Sequence, residues 1–102
     1  MSTLVILNPA AGHGRSARFR EDVLRAAEAQ WGDVKLALTE GPGHATALAR
    51  GAADGTQRVI AVGGDGTVHE AANGLLSRGG RVIPALGVVP VGTDNDFAKM
   101  TY

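Results

Sequence analysis

The sequence lacks several features that would mark particular classes of protein. It has no cysteine, which excludes disulfides, thiolate metal sites and cysteine nucleophiles. Ten basic residues balance ten acidic ones, so the positive surface typical of nucleic-acid-binding domains is missing and we expect no nucleic-acid partner. No apolar run approaches the ~18 residues of a membrane-spanning helix, and residues 3–7 are too short for a secretion signal. We therefore expect a soluble, cytoplasmic protein.

Aromatic residues are also scarce, at 4% of the chain, and alanine supplies much of the hydrophobic 44%. The length of 102 residues suits one domain of ~100–200 residues, so we expect residues 1–102 to form a single domain. A chain of this size buries only ~60 to 68% of its unfolded surface. We expect so thin a core to gain stability from a neighbouring domain or from a second copy of the chain, as a homo-oligomer.

Short apolar runs alternate with amphipathic segments along the chain. The apolar runs predict strands at residues 4–7, 34–39, 58–62 and 83–89. Three- and four-residue spacing predicts helices at residues 16–31 with Ser16 as N-cap, 44–53, 68–76 and 94–100. Strand followed by helix, repeated four times, predicts an α/β fold of three layers, α/β/α, with a mainly parallel sheet.

The turn at residues 63–67, Gly-Gly-Asp-Gly-Thr, is the most informative segment. Ligands of parallel sheets bind at the carboxyl ends of the strands, which is where this turn falls. Its glycines allow backbone N–H groups to converge at a helix N-terminus, where they form an anion cradle. Phosphate binding is the hypothesis that follows; the alternative is a glycine turn in which Asp65 only caps the helix.

A phosphate at this turn requires a cation beside Asp65. Two like charges ~4 Å apart repel by about 4 kcal/mol at an effective dielectric constant of ~20. Asp94 and Asp96, in another turn at the same edge, raise the same requirement. We therefore predict Mg²⁺ held through Asp65, with Asp96 contributing through water, as in phosphoryl transfer.

Residues 12–17 also fit G-x-G-x-x-A, the dinucleotide-binding fingerprint. No acidic residue has both the spacing and the position of the ribose-binding acid, and the loop is longer than the usual turn. A Walker A loop is absent, because no Gly-Lys-Ser/Thr occurs. His13, His44 and His69 lie on separate turns or helix starts and give little support to a metal triad. Arg15 is placed to act as a cation beside a phosphate turn.

Four motifs in combination resemble the diacylglycerol kinase catalytic domain family, which includes bacterial lipid kinases and sphingosine and ceramide kinases. They are Asn-Pro-Ala-Ala-Gly at residues 8–12, the segment 39–45, Gly-Gly-Asp-Gly-Thr-Val-His-Glu with Asn-Gly inside 63–74, and Pro-Val-Gly-Thr-Asp-Asn-Asp-Phe-Ala at 90–98. The resemblance spans the whole chain and is specific in combination. The Gly-Asp-Gly-Thr element alone is less so, since NAD kinases and phosphofructokinases share it.

The resemblance implies ATP-dependent transfer of the γ-phosphate to a lipid hydroxyl such as that of diacylglycerol, with Asp65 in the catalytic network. ATP, Mg²⁺ and a lipid alcohol are the expected partners, and a lipid substrate implies transient contact with a membrane surface. With the turn residues predicted above, the expected nucleotide contacts are Asn8, Gly12, Arg15, Thr39, Gly63, Gly64, Asp65, Gly66, Thr67, Val68, His69, Glu70 and Thr93.

The chain departs from the family pattern in three residues and in length. Ala11 stands where serine is usual, His69 where asparagine is more frequent, and Asp94 where the residue is usually small and uncharged. Family members resemble two-domain kinases, whose β-rich second domain carries the general base and much of the lipid pocket. We expect residues 1–102 to be the amino-terminal nucleotide-binding domain without that second domain. Such a chain should bind nucleotide weakly and have little or no kinase activity.

Three other functions stay open. An NAD kinase-like activity shares the central glycine motif, although residues 90–98 fit the lipid-kinase pattern. A non-catalytic nucleotide-binding or interaction module is the second alternative. Dinucleotide binding, for which residues 12–17 carry the fingerprint, is the third.

Overall fold

The computed structural model describes residues 2–79 and 82–91, in which four strands alternate with helices. The strands are β1 Ser2–Leu7, β2 Val34–Leu38, β3 Thr56–Gly63 and β4 Ala85–Pro90. The helices are α1 Arg15–Arg18, α2 Arg20–Trp31, α3 His44–Arg50 and α4 Asp65–Leu76. The sheet has the order β2-β1-β3-β4 and every pairing is parallel, which confirms the predicted α/β class.

A separate hydrophobic cluster fills each face of the sheet. On one face, α2 contributes Val23 and Ala27 to a cluster with Val5, Leu7, Ile60, Val62, Val89 and Val91. On the other face, α3 and α4 contribute Ala45, Ala49, Ala71 and Leu75 to a cluster with Ile6, Val59 and Ala61. Helices therefore cover both faces of the sheet, as the predicted three-layer α/β/α arrangement requires.

The strand ends are aligned in a single row across the sheet. Leu7 pairs with Leu38 on one side and with Val62 on the other, and Val62 pairs in turn with Val89. The segment that follows each strand therefore leaves the sheet at the same edge. The chain runs from β1 to β2 on one side and then crosses to β3 on the other, so β1 and β3 flank a topological switch point, where parallel sheets bind ligands.

The helix predicted at residues 16–31 is two helices, with the break at Phe19. The apolar stripe of this region begins at Phe19 and continues along α2, whereas α1 has no large apolar residue, so spacing alone did not reveal the break. Ser16 is wrongly predicted as an N-cap: Gly14 occupies that position, and the buried hydroxyl of Ser16 donates to the backbone carbonyl of Asn8. A tertiary contact has replaced the local cap.

Other element boundaries also differ from the predicted ones. Helix α4 begins at Asp65 rather than at residue 68, because Gly64 is its N-cap. Leu76 is the last residue of α4 and, although hydrophobic, is 71% exposed. Strand β4 begins at Ala85, two residues late, and Ile83 is 52% exposed. The predicted helix 94–100 lies outside the described residues.

Arg78 lies inside the protein, with its side chain 2% exposed. Its Nη1 donates to the carbonyl oxygens of Ala49, Arg50 and Ala52 at 3.3, 3.2 and 2.9 Å. These carbonyls belong to the end of α3 or to the residues after it, where a helix leaves carbonyl groups without N–H donors of its own. A cation at this position also interacts favourably with the negative end of the helix dipole.

None of the helices within residues 2–79 and 82–91 combines the length and the hydrophobicity needed to cross a bilayer.

Helices α3 and α4 pack closely because their contact surfaces consist of small residues. A Cβ built on Gly74 would lie 2.8 Å from the Cβ of Ala49 and 3.0 Å from the backbone nitrogen of Arg50, and would also overlap the carbonyl oxygen of Thr46. Two of these three atoms are backbone atoms, so a rotamer change cannot relieve the clash. The alanine-rich composition is therefore what this helix pair requires.

We expect Gly74→Ala to destabilise the protein by about 1–3 kcal/mol, the usual cost of overpacking. Gly66→Ala is the matched control, since the same change in the same helix meets no atom within 4 Å. The control should be neutral or stabilising by up to ~1 kcal/mol, because alanine is the better helix former. Urea denaturation midpoints measure both variants. Equal midpoints would contradict the close packing of α3 on α4.

Candidate functional site

A cleft of about 310 Å³ opens at the carboxyl edge of the sheet, next to the switch point. Its walls come from the segments that follow β1 and β2 and from the first turns of α4. The lining residues are Asn8, Ala10, Thr39, Gly41, Pro42, Ala45, Gly66, Thr67 and Glu70. Five of them, Asn8, Thr39, Gly66, Thr67 and Glu70, were predicted from the sequence. Three separate motifs therefore meet in one cavity.

Asn8 holds the first of these segments in place. Its backbone N–H donates to the carbonyl of Val62 at 3.0 Å, which continues the pairing of β1 with β3. Its side-chain Nδ2 donates to Thr67 Oγ1 at 3.2 Å, and its Oδ1 accepts the N–H of Ala10 at 3.0 Å. Its carbonyl accepts the Ser16 hydroxyl. One residue thus connects the segment after β1 to β3, to α1 and to the start of α4.

Thr67 packs into a space that only glycine leaves free. A Cβ on Gly63 would lie 2.5 Å from Thr67 Oγ1 and 2.9 Å from Thr67 Cβ. The buried Thr67 side chain therefore lies directly over the end of β3, where its hydroxyl meets Asn8. This contact explains why the turn begins with Gly63.

The N-terminus of α4 has the features of an anion cradle. Gly64, in extended backbone, is the N-cap and provides no side-chain acceptor. The first N–H groups of a helix have no partner within it, and they carry its positive dipole end. A Cβ on Gly66 would meet nothing within 4 Å, so the space above the first turn is open. Backbone donors and open space together fit the phosphates of a nucleotide.

Asp65 is the first residue of α4, and its side chain is exposed beside the cleft rather than lining it. A carboxylate in the first turn is favourable towards the helix dipole. It is also free to bind a hydrated Mg²⁺, which proteins commonly hold through one or two carboxylates together with substrate phosphates. Within the described residues, no cluster of three or more His, Asp or Glu side chains forms a metal site. Asp96 and Thr93 lie outside those residues.

The segment that fits the dinucleotide fingerprint uses its backbone donors internally. Gly14 donates to the carbonyl of Ala10, Arg15 to that of Gly12 and Ser16 to that of Ala11, at 3.2 to 3.3 Å. Helix α1, which follows, has four residues. A pyrophosphate therefore has few donors to bind here. Gly12 and half-buried Arg15 do not line the cleft, and their nucleotide contacts stay predictions.

The remaining predicted nucleotide-binding residues, Val68, His69 and Glu70, are consecutive in α4 and face different surroundings. Val68 packs against the hydrophobic cluster beneath α3 and α4, and its N–H donates to the carbonyl of Gly64 at 3.2 Å. His69 is exposed and does not line the cleft. Glu70 does line the cleft, and its Oε2 accepts the N–H of Gly43 at 3.0 Å. Nucleotide contacts for these three residues stay predictions.

Sequence reasoning missed Ala10, Gly41, Pro42 and Ala45 as lining residues. For Ala10, Gly41 and Pro42 the available signal was their position shortly after β1 or β2, at the edge where parallel sheets bind ligands. Ala45 lies in the first turn of α3. Thr39 begins this segment, and its N–H donates to the carbonyl of Leu7 at 2.9 Å. The segment therefore leaves the sheet beside Asn8 and forms the outer wall of the cleft.

A parallel α/β domain with a cleft at its switch point defines a broad class of ligand-binding domain, and comparison with known proteins narrows it. The family model for the diacylglycerol kinase catalytic domain matches residues 2–102. The chain belongs to that family.

Individual relatives agree with this assignment. A Bacillus subtilis protein named diacylglycerol kinase is 40% identical over 96 residues, which cover 93% of this chain and 31% of the relative. Sphingoid long-chain bases kinase 1 of Arabidopsis thaliana is 41% identical, over 92% of this chain and 13% of its own length. The crystal structure of a diacylglycerol kinase from Bacillus anthracis matches 96% of this chain and 35% of its own, with a TM-score of 0.78 and 34% identity. The chain thus spans about a third or less of the length of these relatives.

A double-mutant cycle tests the hydrogen bond between Asn8 and Thr67, which both line the cleft. We expect Asn8→Ala and Thr67→Val to show a coupling free energy of about 0.5–1.5 kcal/mol, since each removes the same hydrogen bond. Urea denaturation of both single variants and the double variant gives this coupling free energy. Strict additivity would show that the bond contributes nothing to stability.

Proposed function

We propose that this domain binds ATP with its phosphates at the N-terminus of α4, in a kinase that transfers the γ-phosphate to a lipid hydroxyl. The observation that carries this proposal is the convergence of three family-matched motifs on one cleft, beside a helix N-terminus without a capping side chain. The names of the relatives, diacylglycerol kinase and sphingoid long-chain bases kinase, support a lipid hydroxyl as the acceptor.

In the proposed reaction, ATP supplies a phosphoryl group: the bond from the γ-phosphorus to the bridging oxygen breaks, a bond to the lipid oxygen forms as the hydroxyl proton passes to a general base, and ADP leaves. Such transfer depends mainly on positioning and on electrostatic stabilisation of the phosphoryl oxygens. In this domain the N–H groups of the first turn of α4 would orient the phosphates. The segment after β2 and Asn8 would restrict the position of the nucleotide from the other side.

The carboxylates at the site explain why the nucleotide should bind as its magnesium complex. Glu70 lines the cleft and Asp65 stands at its edge, so a bare triphosphate would meet two like charges. At ~4 Å each would repel a phosphate charge by about 4 kcal/mol at an effective dielectric constant of ~20. Mg²⁺ beside Asp65 would offset this repulsion and hold the phosphates at the helix N-terminus.

Titration with nucleotides tests the proposed ligand. We expect Mg-ATP to bind at least about tenfold more tightly than NAD, since the donors of residues 14–16 are already bonded within the protein. Isothermal titration calorimetry with the two ligands measures the ratio. Tighter binding of NAD would instead support the dinucleotide hypothesis.

Asp65→Ala tests the role of magnesium. In the unsubstituted chain, Mg²⁺ should strengthen ATP binding by about tenfold or more, and in the variant this gain should largely disappear. Without Mg²⁺ the variant should bind ATP at least as well as the unsubstituted chain, because one repulsive charge is gone. Asp22→Ala, which removes an exposed aspartate from the first turn of α2, is the control. An unchanged Mg²⁺ dependence in Asp65→Ala would show that the metal role is assigned to the wrong residue.

A further inference from the structure

Glu70 makes a contact that direct phosphate binding does not explain. Its carboxylate Oε2 accepts the backbone N–H of Gly43 at 3.0 Å, although the two residues are 27 positions apart in the chain. Gly43 is the N-cap of α3, in left-handed backbone with φ of +83°, and α3 has neither a side-chain cap nor an acidic residue in its first turn. A carboxylate from a neighbouring helix thus accepts an N–H at the start of α3, which has no capping side chain of its own.

The backbone of Glu70 is itself held in place. Its carbonyl accepts the Thr46 hydroxyl at 2.9 Å, which joins α4 to α3 one turn away from the carboxylate contact. The close approach of the two helices at Gly74 fixes their separation further along α4. The carboxylate therefore projects from a rigid position towards Gly43.

The segment that Glu70 contacts is one wall of the cleft. Thr39, Gly41 and Pro42 of this segment line the cleft, and Gly43 is the last residue of the segment before α3. Within this segment, the N–H of Glu40 donates to His44 Nδ1 at 2.9 Å, which fixes the half nearer to β2. The Gly43 contact fixes the other half against α4. Without the hydrogen bond from Gly43 to Glu70, residues 39–43 would lose this direct link to α4.

We propose that Glu70 is a positioning residue, which sets the width of the cleft by holding residues 39–43 against α4 through the N–H of Gly43, and does not itself bind the phosphates. This inference rests on the proposed function for its ligand, though not for the hydrogen bond. The positioning role explains why a negatively charged side chain lines a cleft that is proposed to bind a triphosphate.

Three substitutions separate positioning from a charge effect. Glu70→Gln keeps an amide oxygen at the same reach and removes the charge. Glu70→Asp keeps the charge and shortens the side chain by one methylene, so the carboxylate no longer reaches Gly43. Glu70→Ala removes both. Glu40→Gln is the matched control, because it removes a charge from the same segment and leaves the backbone N–H in place.

Two measurements on the chain read out the result. Amide hydrogen exchange at Gly43, without nucleotide, should be about tenfold faster in the Asp and Ala variants and nearly unchanged in the Gln variant and the control. The dissociation constant for Mg-ATP should follow the same order, weakening by about tenfold in the Asp and Ala variants only. If the Ala variant does not fold, the Gln and Asp variants still decide the question.

Two outcomes would overturn the positioning role. One is Gly43 exchange that is the same in all variants. The other is ATP binding that the Asp variant retains and the Gln variant loses, which would make the charge the essential property. Failure of the unsubstituted chain to bind Mg-ATP would refute the proposed function instead, and the exchange measurement would still test the contact between Glu70 and Gly43.

Discussion

The arrangement of the site depends on the hydrogen bonds that Asn8 makes where β1 leaves the sheet. The four strands end in one row, so parallel pairing alone brings their following segments to the same edge. Pairing does not fix how those segments lie once they leave the sheet. Asn8 does so by joining the end of β3, the buried hydroxyl of Ser16 and the side chain of Thr67. Because Gly63 leaves room for Thr67, this junction also sets the position of the α4 N-terminus.

The small residues of α3 and α4 connect the core to the site. Ala45, Ala49, Ala71 and Gly74 offer little hydrophobic area, which limits what their burial contributes to stability. Their small size also lets the two helices approach closely enough for Glu70 to reach Gly43, the N-cap of α3. The alanine-rich composition, which predicts a thin core, therefore also brings the segment after β2 within hydrogen-bond distance of α4. Larger side chains at this contact would separate the walls.

Electrostatics at the carboxyl edge balance attraction against repulsion. The α4 N-terminus attracts an anion, whereas Asp65 and Glu70 disfavour one that has no counterion. The Glu70 carboxylate accepts the N–H of Gly43, and Asp65 is exposed. Under the proposed function, such a site would discriminate against a bare phosphate and favour a metal-bound one. This selectivity is consistent with the proposed ligand, Mg-ATP, and with an overall charge of zero, because the charges that matter are local.

The sequence alone determined the α/β class, the order of the elements and the family, since these follow from patterns that neighbouring residues carry: apolar runs, amphipathic spacing and glycine turns. The family resemblance also placed Asn8 and Thr39 at the cleft, and the glycine turn placed Thr67 there. Only the tertiary structure decided what the side chains do there. Ser16 bonds Asn8 rather than capping a helix, and Glu70 meets Gly43 from 27 residues away. Such contacts depend on how closely α3 approaches α4 and on how the strands align, and these distances are set by packing between segments that are remote in the chain.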